Sequence, residues 1–158
     1  MLLLRSIFFT FLQPGTVTVL IPYWLISSRR AGTFSNHQAL RYLGLPLIVI
    51  GAARLLWSIW KFFSEGRGTI SPIDPPKHLV VRGLYRYVRN PMYVAVVTTL
   101  IGEAIFFISA PVLIEAGVFF VLANLFVAFY EEPALRRQFG ESYERYLQTV
   151  GRWIPRYR

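Results

Sequence analysis

The chain has 158 residues, 54% of them hydrophobic, with 17 Lys and Arg against 8 Asp and Glu and a formal net charge of +9. That length fits one domain, residues 1–158, and the gathering of charge between long apolar runs reads as a multi-pass membrane protein. The positive-inside rule accounts for the basic excess without nucleic acid, and no groove- or strand-reading motif accompanies it; with no Cys and only His37 and His78, neither a disulfide nor a metal site is expected.

In chain order, the first apolar run covers residues 2–26, long enough to cross about 30 Å of hydrocarbon. Pro14-Gly15 predicts a kink, and Ile21-Pro22-Tyr23-Trp24 reads as an interface anchor rather than a signal-peptide cleavage site. A polar loop, residues 27–38, leads to a second run at 39–63, which carries Arg54 inside it and Trp57 and Trp60 toward its far interface. Residues 64–76 are rich in Gly and Pro and read as an extended loop, with a short extended piece at 77–81. The third and fourth runs, 91–108 and 112–130, are separated only by Ser109-Ala110-Pro111, which predicts a tight helical hairpin. Beyond Glu132, Leu135, Phe139, Tyr143, Tyr146 and Leu147 recur among charges, the pattern of an amphipathic surface helix broken at Gly140. Gly151-Arg152-Trp153-Ile154-Pro155 then closes the chain against the interface. The fold class expected is therefore all-α, about four transmembrane helices with a C-terminal helical hairpin and an amphipathic cytoplasmic tail helix. Most Lys and Arg then lie on one face of the membrane, which places both termini in the cytoplasm.

Two corners of this arrangement share that face. At the first, Arg82, Arg86 and Arg89 precede Asn90-Pro91, where Asn90 is expected to cap a helix with its side-chain oxygen and Pro91 to fill the first helical position. A helix N-terminus ringed by guanidiniums favours an anion. The second corner, Tyr130-Glu131-Glu132-Pro133, is expected to be a helix end followed by two acids. A ligand with a carboxylate at one end and cationic groups at the other fits between them, with Tyr85, Tyr87, Tyr93 and Tyr130 offering aromatic faces; S-adenosylmethionine has that charge layout, and a phospholipid head group fits equally.

The pattern Gly83-x-Tyr85-x-x-x-Arg89-Asn90-Pro91-x-Tyr93, then Glu131-Glu132-x-x-Leu135-x-x-x-Phe139-Gly140-x-x-Tyr143-x-x-Tyr146, then Val150 and Trp153-Ile154-Pro155, resembles the isoprenylcysteine carboxyl methyltransferase family and the related phospholipid N-methyltransferases. The resemblance covers residues 77–155. It implies an integral-membrane enzyme that moves a methyl group from S-adenosylmethionine, by in-line displacement, to a lipophilic carboxylate or amine at the cytoplasmic interface of a bacterial inner membrane or endoplasmic reticulum. It further implies that Lys77, His78, Leu79, Val80, Tyr85, Asn90, Pro91, Met92 and Tyr93 line the cofactor, that Glu131 and Glu132 close the pocket, and that Glu131, Glu132 and Arg89 carry the catalytic roles. Glu131, Glu132 and His78 are the candidates for a base. Two positions depart from the isoprenylcysteine pattern, Asn90 standing for a His and Ala128 for an Arg. The competing readings are a sterol-type membrane reductase with a nicotinamide cofactor and a non-catalytic lipid-binding protein.

Four polar residues within the apolar runs stand out, Arg54, Glu103, Glu115 and Asn124. Glu103 and Arg54 are expected to form an intramembrane ion pair, or Glu103 to face the substrate cavity. Asn124, seven residues before Glu131, is expected to make a helix–helix contact or reach the cofactor, and Glu115 to be interfacial.

Overall fold

A computed structural model describes residues 11–28, 41–66 and 78–156. Among them every regular element is helical, with one isolated parallel bridge between Val88 and Gly151. Phe11–Leu20 is wound as a π-helix and runs on as α1, Ile21–Ser27. Pro14 lies inside the π stretch, so the predicted kink takes the form of a widened turn; Pro lacks the N–H that a tight turn needs and crowds the carbonyl before it. The Thr18 hydroxyl donates to Pro14 O at 2.7 Å and occupies that carbonyl.

The second helix, α2, is Gly44–Gly66, and α3 is Pro91–Phe106. They pack through small residues. A Cβ on Gly51 would meet the side chain and N of Thr99, and one on Gly102 would lie 2.7 Å from Ile48 N and 2.8 Å from Gly44 O. Helices in lipid gain little from the hydrophobic effect and associate by such close backbone approach. Around this seam lie buried Leu55, Ala95, Val96, Leu100, Ala104, Val112 and Ala116, with Val17, Leu25 and Ile26 packed against them from the N-terminal helix.

Helix α3 ends at Phe106, two residues before the expected end, and Ile108 makes the turn at φ 53. Ser109 is extended and begins α4, Ala110–Phe126, with Pro111 in its first turn. The hairpin is as predicted, but α4 does not stop near Tyr130. It continues through a π-turn, Val127–Glu131, into α5, Glu132–Phe139. The second corner is therefore a widened turn within a continuous helix and presents no free helix pole. Gly140, at φ 52, breaks the chain where predicted, and α6 follows at Glu141–Thr149.

Among the described residues two stretches are long and apolar enough to cross a membrane, Gly44–Lys61 and Ala110–Phe139, and shorter apolar helices cover Pro14–Ser27 and Pro91–Phe106. Val49, Leu56, Ile114, Val121, Leu122 and Phe129 are exposed on the outer faces of α2 and α4 and their continuation, as a lipid-facing surface requires. Arg54 is exposed on α2 and makes no ion pair with Glu103 among the described residues. Glu103 instead has a carboxylate oxygen buried without a hydrogen-bond partner among the described residues, as do both oxygens of Glu115 near the start of α4.

Candidate functional site

Gly83 opens a 3-10 turn, Gly83–Arg86, from a left-handed conformation, φ 62, that a side chain would strain; its α-carbon abuts Trp57 and Lys61 at the end of α2. The turn buries Tyr85. Tyr146, on α6, donates its hydroxyl to Tyr85 O at 2.5 Å, and Tyr143 and Tyr146 pack with Val150, Leu79 and Leu135. Burial raises the pKa of all three tyrosines, Tyr143 to about 12 with Glu132 adding to the effect, so each keeps its proton and Tyr146 remains a donor. Tyr146→Phe is expected to cost about 1–2 kcal/mol, because it deletes one buried hydrogen bond and leaves a main-chain carbonyl with one acceptor site unmet; thermal unfolding in detergent measures this directly.

After the turn the chain meets its own C-terminal strap. Arg89 N–H donates to Gly151 O at 2.9 Å beside the Val88–Gly151 bridge, and Asn90 Nδ2 donates to Arg152 O at 3.3 Å. Asn90 thus makes no side-chain cap on α3. Its amide holds the strap instead, and Pro91 does take the first helical turn. From α3, Tyr93 donates its hydroxyl to Glu131 Oε2 at 3.1 Å, so the two predicted corners meet.

The two acids are neighbours on a continuous helix, about 100° apart around its axis, and so face different partners. Glu131 faces Tyr93. Glu132, 8% exposed, receives Arg152 Nε at 2.8 Å and Arg152 NH2 at 2.7 Å, and lies 3.1 Å from Arg89 NH1. Pairing with Glu132 raises the Arg152 value further. Arg89 is only 10% exposed in its side chain, and its Nε and NH1 are buried without a hydrogen bond. One residue on, Trp153 donates Nε1 to Asn124 Oδ1 at 3.1 Å, and its ring meets Tyr93 edge-on at 6.3 Å and Phe120 at 5.3 Å, with Phe119 6.2 Å from Tyr93. Asn124 therefore anchors the strap to α4.

Of the residues singled out from sequence, Arg89, Asn90, Tyr93, Glu131 and Glu132 come together here. Tyr85 and Val80 are buried beneath them, Met92 packs into the core, Leu79 packs on the α6 tyrosines, and His78 is exposed. Lys77 lies outside the described residues. Sequence reasoning missed Arg152. The signal was present, a basic residue beside Trp153 in an otherwise apolar closing segment, but its partner lies twenty residues away.

These features define a helical membrane protein whose buried polar cluster sits where a helical hairpin meets a C-terminal strap. The phospholipid methyltransferase family model matches residues 40–142, and the chain belongs to that family. Its fold is similar to that of a eukaryotic intramembrane Ras methyltransferase, isoprenylcysteine carboxyl methyltransferase, at TM-score 0.62 and 20% identity, over 96% of this chain and 52% of that one. The chain thus spans about half the length of that structure. No curated protein matches it.

Proposed function

We propose that the protein is an integral-membrane methyltransferase that binds S-adenosylmethionine between the two corners and methylates a lipophilic acceptor at the cytoplasmic interface, with four spans and both termini on that side. The observation that carries this reading is the meeting of sequence-distant groups at one corner, the Tyr93 hydroxyl with Glu131 and the Arg89 guanidinium with the Glu132 carboxylate. Family membership supports it over the reductase and the lipid-binding readings.

The residues present fit the cofactor. Arg89 has a buried Nε with no acceptor and an NH1 held only by its ion contact with Glu132, which suit a carboxylate; Glu131 suits an ammonium or ribose hydroxyls; Tyr93 and Trp153 offer ring faces to a cation or a purine. When bound, the cofactor supplies a methyl group already activated on a sulfonium sulfur. The chain's task is then to position and to dry the site. The rings of Tyr93, Trp153, Phe119 and Phe120 form an aromatic layer beside this corner that would help to dry a bound ligand. Of the three candidate bases, His78 is exposed and Glu132 is engaged by two guanidiniums, which leaves Glu131 to take the proton that an ammonium acceptor must lose, whereas a carboxylate acceptor needs no base.

The test is saturable binding of S-adenosylmethionine to the detergent-purified protein, followed by transfer of labelled methyl into a total lipid and small-molecule extract, with the product identified by mass. Binding of a nicotinamide dinucleotide in its place would establish the reductase reading. Glu131→Gln is expected to lower turnover on amines by about a hundredfold or more, a loss larger than any weakening of cofactor binding.

A further inference from the structure

Glu132 is bound by two guanidiniums from opposite ends of the site, Arg152 on the strap and Arg89 before α3. Arg152 uses both carboxylate oxygens in a fork-to-fork pair. Arg89 is left with a single 3.1 Å ion contact, and its Nε and NH1 donate no hydrogen bond among the described residues, though the side chain is nine-tenths buried. Glu131, the other acid of the corner, is turned to Tyr93. The cluster therefore holds two guanidiniums against one carboxylate. A buried guanidinium with unmet donors is costly unless a ligand completes it.

We propose that Arg152 is a positioning residue that saturates Glu132 so that Arg89 can receive an anionic oxygen, a carboxylate or a phosphate ester, from the ligand. Without Arg152, Glu132 would draw the Arg89 fork onto itself and cancel its charge. The strap thereby sets the specificity of the site through the count of charges, not by touching the ligand. Two sources could supply the anion: the carboxylate of the cofactor's amino-acid portion or the phosphodiester of a lipid acceptor. The inference rests on the reading of the two corners as a ligand site.

The experiment compares S-adenosylhomocysteine with its decarboxylated analogue, which keeps the amine, and adds short-chain phosphatidylglycerol as a competing phosphodiester. Each is titrated against the detergent-purified full chain by calorimetry. If the cofactor is the source, the wild type prefers the carboxylated nucleoside, and Arg152→Gln erases that preference by roughly ten- to hundredfold while leaving the decarboxylated analogue unchanged. If a lipid is the source, the same variant selectively weakens phosphatidylglycerol. Arg152→Lys keeps the charge and retains part of the preference. Glu132→Gln combined with Arg152→Gln removes one charge of each sign, and the preference returns. A merely structural strap predicts otherwise: Arg152→Gln weakens all three ligands alike and the double variant does not recover, which overturns the proposal, as does an Arg152→Gln variant with no change for any ligand. A wild type that binds neither nucleoside refutes the methyl-donor reading, and the phosphatidylglycerol arm then decides the triad by itself.

Discussion

Gly51→Leu is expected to keep the bundle from closing. The position faces α3 so closely that even a Cβ would lie 2.8 Å from Thr99 N and 3.0 Å from Ala95 O. Both are backbone atoms, so neither can turn aside as a flexible side chain would, and the only relief is for α2 and α3 to move apart. That movement also opens the contacts at Gly44 and Gly102 further along the seam and exposes the hydroxyl of Thr99, which donates to Ala95 O at 3.0 Å. Overpacking of this kind costs about 3 kcal/mol or more, a large part of the roughly 5–15 kcal/mol that holds a domain folded. The measurement is the folded, monodisperse yield and the midpoint of thermal unfolding in detergent. Gly117→Leu is the matched control: its Cβ would have nothing within 4 Å, so its midpoint should stay near that of the wild type. Equal midpoints for the two variants would refute the packing described for α2 and α3.

Glu132→Ala is expected to remove both ligand binding and a large share of stability. It strands Arg89, nine-tenths buried, and Arg152 opposite one another with no carboxylate between them. Deleting one partner of a buried ion pair costs about 3–5 kcal/mol, because the remaining charge stays desolvated. It also unfastens the strap at the centre of its contacts with both corners. Glu132→Gln should be milder, since its amide oxygen still accepts from one guanidinium. Unfolding midpoints combined with S-adenosylhomocysteine titration separate the two effects. Full binding by Glu132→Ala would dissociate the triad from the ligand site.

Much of this site was legible from residues alone. Pro91 as a helix start, Ser109-Ala110-Pro111 as a hairpin turn and Gly140 as a break follow from local backbone rules, and the hairpin by itself returns Tyr93 and Glu131 to the same end. Features set by tertiary contact were not legible. Asn90 has the residue type of a cap, but the strap offers its amide a carbonyl, and that bond wins. The π-turn at Val127–Glu131 leaves no compositional mark, yet it carries the helix on past the expected end at Tyr130. Arg54 and Glu103 were paired by depth alone, whereas the rotation of α2 turns Arg54 outward. The glycines of the α2–α3 seam sit in runs whose hydrophobicity says span but not which face meets a neighbour.

The strap bears on how the molecule is made. Residues 150–154 are translated after every helix they fasten, so during synthesis the hairpin sits in the bilayer with Glu132 still lacking its Arg152 partner. A chain that stops short of residue 150 should therefore leave Glu132 to Arg89 alone, so that the last few residues made decide which charge that corner presents.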